Sequence, residues 1–159
     1  MKRDTRHAMT IDVRLLQAGD ADVLAQVAED VFDFATDPER VREFLADPRH
    51  HIAVAVDDGI VVGFASAVHY VHPDKPPQLW INEVGVAPTH RGAGIGQRVL
   101  RCLFAQGRAL GCSEGWVGTE PDNVAARRLY ASVGGSDPPQ DFVLYEFDLR
   151  DAADPVTPA

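Results

Sequence analysis

Between residues 11 and 16 apolar and polar side chains alternate with period two, which predicts a strand. Asp20 then precedes apolar residues at Val23, Leu24, Val27, Val31 and Phe34, a helical spacing with Asp20 as its cap. A second short helix is expected after Pro38, with Val41, Phe44 and Leu45 on one face, and Asp47-Pro48 stops it. Largely apolar runs at 52–56 and 60–71, joined by Asp57-Asp58-Gly59, predict a β-hairpin buried on one or both faces. The prolines of 72–77 exclude both a ladder and a helix. Beyond them the pattern predicts a strand over 79–86, a helix over 94–110 closed by Gly111, a short strand over 114–118 and a helix over 122–133 closed by Gly134-Gly135. A last strand is expected over 142–149, with tails at 1–9 and 151–159. Strands before, between and after helices make a mixed α/β sheet.

A chain of 159 residues fits one domain with a substantial core. Fifteen basic against 24 acidic residues give 15 − 24 = −9, which disfavours nucleic acid and anionic membrane as partners and favours a cation. Cys102 and Cys112 form no Cys-x-x-Cys, and His50-His51 would point to opposite faces of a strand; neither a disulfide framework nor a metal site is expected. The basic first residues precede no apolar run of signal or membrane-spanning length, so a cytoplasmic protein is expected.

The stretch Arg91-Gly92-Ala93-Gly94-Ile95-Gly96 lies between the 79–86 strand and the following helix. A glycine-rich turn opening a helix offers unpaired N–H groups, the positive end of the macrodipole and room for an anion, although a tight strand-to-helix connection would look alike. No P-loop Lys-Ser/Thr follows Gly96, and G-x-G-x-G set off from the strand by 87–91 is not the dinucleotide fingerprint. The spacing R-x-x-G-x-G resembles motif A of the GCN5-related N-acetyltransferases (GNAT), whose loop binds the pyrophosphate of acetyl-CoA. That resemblance extends over about residues 11–149 and implies a mostly antiparallel central sheet flanked by helices.

Two further stretches are similar to the same family. Asn123 to Tyr130 matches N-x-x-A-x-x-L-Y, with Ala126 in its second matched place. The resemblance implies that Asn123 touches the pantetheine arm and that the Tyr130 hydroxyl approaches the thioester sulfur; a plain amphipathic helix burying Ala126, Leu129, Tyr130 and Val133 is the alternative. Ile81-Asn82-Glu83-Val84-Gly85-Val86 looks like the family's central strand. There Val84, Gly85 and Val86 would pair with pantetheine amides and polarise the acetyl carbonyl, and Glu83 would be the general base, unless it is a salt-bridged surface glutamate. The expected cofactor set is therefore Val84, Gly85, Val86, Arg91, Gly92, Ala93, Gly94, Ile95, Gly96, Gln97, Asn123 and Ala126, with Glu83 and Tyr130 catalytic and no metal.

Asp30 and Asp33, Glu83, and Glu146 and Asp148 on the last strand put carboxylates on converging elements, which suits a polyamine. With Asp30-Val31-Phe32-Asp33-Phe34 and Tyr145-Glu146-Phe147-Asp148-Leu149 the chain resembles the aminoglycoside 3-N-acetyltransferases, departing from them in Glu rather than Asp at 83. Asp33, Glu83, Glu146 and Asp148 are the expected substrate-binding set. Acetylation of another small amine or of a protein N-terminus, and a non-catalytic CoA-binding module, are the alternatives. A homodimer stays open.

Overall fold

The computed structural model describes residues 10–150, so both expected tails lie outside the described residues. Five strands form one sheet in the order β1-β2-β3-β4-β5: Asp12–Leu15, His50–Asp57, Ile60–Tyr70, Gln78–Val86 and Glu114–Val117. The first four are mutually antiparallel, and β5 runs parallel to β4. Three α-helices accompany them: α1 (Pro38–Ala46), α2 (Ile95–Ala109) and α3 (Val124–Ser132). The hairpin, the Pro-rich loop and all three of these helices lie where the pattern placed them.

Helix α2 packs across β3, β2 and β1. Its Ile95, Val99, Leu100 and Leu103 are fully buried against Val54 and Val61, and each such side chain contributes about 1.5–3 kcal/mol of hydrophobic stabilisation. The helix comes that close because Gly63 faces it: a Cβ there would lie 2.6 Å from Ile95 Cγ2. Helix α1 starts sharply because the Asp37 carboxylate accepts from the Glu39 and Arg40 N–H groups and Pro38 fills its first turn.

Two expected elements are not formed. The helix predicted from Asp20 to Phe34 is instead a 3-10 stretch, Ala18–Ala25, in which the Asp20 carboxylate accepts from Gln17 N–H at 2.8 Å. Past it the chain is drawn to the sheet: Ala28 N–H donates to the Val61 carbonyl and Val61 N–H to the Gln26 carbonyl, and Asp30 then takes the left-handed φ of 60°. These long-range bonds override a helical spacing, leaving Phe34 86% exposed. The strand predicted over 142–149 is likewise absent: the segment is exposed and belongs to no ladder, and among the described residues no strand pairs with the outer edge of β5.

Candidate active site

The strands β4 and β5 pair only over Gln78–Ile81 and Glu114–Val117. At that point β4 carries a bulge: Ile81 faces Ala67 and Glu83 faces Ser66, so Asn82 is the extra residue. A bulge bends its strand, and the edge of β4 from Asn82 onward, no longer covered by β5, leaves main-chain donors and acceptors free for an extended ligand. Val84, Gly85 and Val86, the expected partners of the pantetheine amides, lie on this stretch.

The turn after β4 leads to α2. Gly92 and Gly94 have φ of 77° and 74° with open space where a Cβ would stand, so both are present for backbone conformation. Arg91 ties the turn to the strand end, its Nε donating to the Val86 carbonyl at 3.3 Å. Among the described residues α1 and α3 each have a carboxylate or amide oxygen capping the N-terminus, whereas α2 has no side-chain cap and no acid in its first turn. Its N–H groups, through Gln97, are open to an anion with the macrodipole behind them. Gly96 has a different job from its two neighbours: a Cβ there would lie 3.0 Å from Leu129 Cδ2, so it lets α3 approach. Gln97 fastens the same contact, its Nε2 donating to Ser132 Oγ at 3.0 Å.

On α3 the Asn123 carbonyl oxygen accepts from Ala126 N–H at 3.1 Å, capping the helix and leaving the amide NH2 for a ligand. Ala126, Leu129, Tyr130 and Val133 form its inner face, all half-buried. Tyr130 borders an open groove of about 380 Å³ together with Ile81 and Val117, the last paired residues of β4 and β5. The phenol therefore sits at the point where the two strands part. Burial pushes its pKa above the usual value, so it is protonated at neutral pH.

Glu83 lies on the other face of the sheet, beside its register partner Ser66, and is exposed; among the described residues no hydrogen bond or ion pair engages its carboxylate. A salt-bridged surface glutamate is thus not what the structure contains. Residues 26–36 cross the same face. Phe32 stacks on Phe64 with ring centroids 4.0 Å apart, and Thr36 closes the loop by donating to the Leu24 carbonyl. Gly85 serves this loop: a Cβ there would collide with the Val31 carbonyl oxygen and lie 2.8 Å from Phe64 Cε1. The room left by its missing Cβ is filled by the chain itself.

Asp30 and Asp33, with Glu29, Phe32 and Thr36, line a second groove of about 260 Å³ in this loop. Glu29 was not anticipated, although its spacing of four from Asp33 would put the two on one face of a helix as well. Glu146 and Asp148 do not join them within one chain, because the strand meant to carry them is not formed. Asp148 is held by its own neighbour instead, the Arg150 guanidinium donating to both its oxygens and lowering its pKa. Burial raises the pKa of both Cys102 and Cys112, leaving neither a reactive thiolate. Among the described residues no group of three or more His, Cys, Asp or Glu is placed to hold a metal, and no helix is long and apolar enough to cross a membrane.

Comparison with known proteins agrees with this arrangement. Residues 22–134 match the family model of the acetyltransferase (GNAT) family. The N-alpha-acetyltransferase RimI of Mycobacterium tuberculosis is 31% identical over 128 residues, which cover 78% of this chain and 77% of that protein. An aminoglycoside N(6')-acetyltransferase type 1 of Salmonella typhimurium is 28% identical over 90 residues, 53% of this chain and 62% of the other. Among solved structures, an aminoglycoside acetyltransferase from an uncultured soil metagenomic sample, in complex with sisomicin, superposes with a TM-score of 0.77 at 16% identity, covering 88% of this chain and 97% of that one. An aminoglycoside N-acetyltransferase of the 6' type in complex with CoA gives 0.72 at 19% identity, over 89% and 97% of the two chains.

Proposed function

Because the chain belongs to the acetyltransferase (GNAT) family, we propose that this N-acetyltransferase moves the acetyl group of acetyl-CoA directly to a primary amine of a cationic small molecule, an aminoglycoside first. The observation that carries the cofactor side is the uncapped N-terminus of α2 behind the Arg91–Gly96 turn, next to a β4 edge that β5 leaves open from Asn82 on. Pyrophosphate takes the first, and the amides of the pantetheine arm take the second. Asn123 adds its free amide NH2 to that arm.

An alkylammonium has no lone pair, so Glu83 receives its proton, directly or through one water, before attack. The amine nitrogen then bonds to the thioester carbonyl carbon while a main-chain N–H of Val84 or Val86 stabilises the oxyanion. Collapse breaks the C–S bond, and Tyr130, kept protonated by its burial, gives the leaving thiolate its proton. Transfer without an acyl-enzyme agrees with two cysteines whose thiols are held protonated.

For the acceptor, the support is the acidic loop crossing Glu83's face: Glu29, Asp30 and Asp33 line one groove in a chain of charge −9. A second reading, acetylation of a protein N-terminus, rests on the 31% identity to RimI. A thiol-release assay with acetyl-CoA and a panel of aminoglycosides, diamines, monoamines and N-terminal peptides separates them. Turnover of aminoglycosides well above peptides is expected, and the acetylated nitrogen, 3-N or 6', is read from the product by NMR. Peptide turnover exceeding that of every aminoglycoside overturns the first reading and installs the second.

A further inference from the structure

The chain has only two tryptophans, and the sheet sets them side by side: Trp80 on β4 is the register partner of Trp116 on β5. Neither belongs to the hydrophobic core or to the apolar residues packed against it. Trp116 is 41% exposed and Trp80 is half-buried. A single apolar residue on a surface needs no explanation, but two adjacent indoles make a flat apolar wall of a size that calls for one.

Register fixes which way the wall faces. Partners on neighbouring strands share a face, and the next pair along shows it directly, Gln78 Nε2 donating to Glu114 Oε2 at 2.7 Å. Trp80 also stands opposite Val68 of β3, which alternates with Ser66 and Phe64. Phe64 carries the stacked Phe32 of the acidic loop and Ser66 is the partner of Glu83, so the indoles lie on the face of the proposed general base. Trp116, on the outermost strand, borders the Tyr130 groove as well. Ser66, Val68 and Tyr70 mark equal steps along β3, at about 3.4 Å per residue. The Trp80 and Trp116 pair is therefore roughly 7 Å from the level of Glu83, and the Gln78 and Glu114 pair, beside Tyr70, roughly 14 Å from it. The Gln78 amide orients Glu114 without neutralising it, and among the described residues no basic group pairs with that carboxylate.

We infer that Trp80 and Trp116 are a stacking shelf for a second ring of the acceptor, with Glu114 taking a further ammonium beyond it. The inference rests on the proposed transfer at Glu83, since the shelf is placed by its distance from that residue. Carboxylate, aromatic wall and carboxylate, in that order along one face, select a polycation built of rings. The apolar face of an amino sugar packs flat on an indole, and an ammonium on that ring is drawn to the electron-rich face of the indole. A linear polyamine brings the charges without the ring, and a peptide N-terminus brings a single ammonium. The shelf thus adds a requirement for rings to the preference for charge set by Asp30 and Asp33.

With no other tryptophan in the chain, intrinsic fluorescence reports on this shelf alone. The unmodified protein is titrated with kanamycin, a tetraamine built of rings, and with spermine, a linear tetraamine, while turnover of kanamycin with acetyl-CoA is measured in it, in Trp116→Ala and in Trp116→Phe. A saturable change of emission with kanamycin and none with spermine is expected. Trp116→Ala should raise the Michaelis constant for kanamycin roughly threefold to thirtyfold and leave that for acetyl-CoA unchanged, and Trp116→Phe, which keeps a ring, should recover most of the loss. Kanamycin turnover with emission unmoved, or an equal emission change with spermine, overturns the shelf and leaves the proposed transfer standing. A saturable, kanamycin-specific emission change without turnover of any aminoglycoside keeps the shelf and removes that transfer. Neither emission change nor turnover overturns both. The titration uses the unmodified protein, so it decides even where a variant fails to fold.

Discussion

At the scale of single residues, environment decides the division of proton work. In the proposed transfer Tyr130, in a half-buried groove that disfavours its phenolate, holds the proton to give, while Glu83 is exposed and has no ion pair among the described residues. Glu83→Gln should lower turnover by about 10²–10⁴, most at low pH where free amine is scarcest, with the dissociation constant for CoA unchanged by calorimetry. Tyr130→Phe should slow turnover on the order of tenfold or more while an acyl donor with a better leaving group recovers most of the rate. A third residue affects folding instead. His51 is buried, its Nε2 2.8 Å from His69 Nδ1, and burial first and His69 second lower its pKa from 6.5 to about 4. The unfolded chain thus binds a proton at pH 5 that the folded chain refuses, so stability is full above about pH 6.5 and is lost as pH falls towards 4. Melting temperature should drop across that window, by an amount equivalent to on the order of 2 kcal/mol, and the drop should be shallower in His51→Gln.

Among the elements, those that read cleanly from sequence carry their own boundaries. Asp37-Pro38 begins α1, Gly94 and Gly111 bracket α2, Asn123 caps α3, and Asp58-Gly59 turns the hairpin, each by local chemistry within a few residues. Residues 26–36 were misread because their partner, Val61, is some 30 positions away, and no local period reports a bridge to it. The alternation over 142–149 has the period of a strand, but a strand exists only with a ladder, and among the described residues this segment pairs with none. The splay between β4 and β5 was equally invisible, since the bulge at Asn82 is a matter of register. For the α2 terminus the consequence is specific. Gly94→Val forces a β-branched residue into φ 74°, at a cost of roughly 1–2 kcal/mol, and reorients the N–H groups meant for pyrophosphate. Its CoA affinity should fall at least about tenfold while circular dichroism stays native, and unchanged affinity in the folded variant would remove the pyrophosphate from this turn.

For the molecule as a whole, charge is the property that connects composition to acceptor. A net −9 by itself only keeps a protein soluble; what directs it is the placement of Glu29, Asp30 and Asp33 in one groove on the face that carries Glu83. A multiply charged amine pairs several of these carboxylates at once, and a monoamine pairs one. On the proposed reading the preference between them is electrostatic, and it should weaken as the Debye length shrinks from about 10 Å at 0.1 M salt to 3 Å at 1 M. Asp33→Asn should raise the Michaelis constant for an aminoglycoside several-fold more than that for a simple monoamine and leave that for acetyl-CoA unchanged, because the cofactor side of the sheet is built from backbone N–H groups and not from these acids. Measured across a salt series, the aminoglycoside constant should climb in the unmodified enzyme and climb less in the variant. A constant indifferent to ionic strength would mean that the acidic loop does not hold the acceptor, and the N-terminal peptide, with its single ammonium, would then be the better substrate.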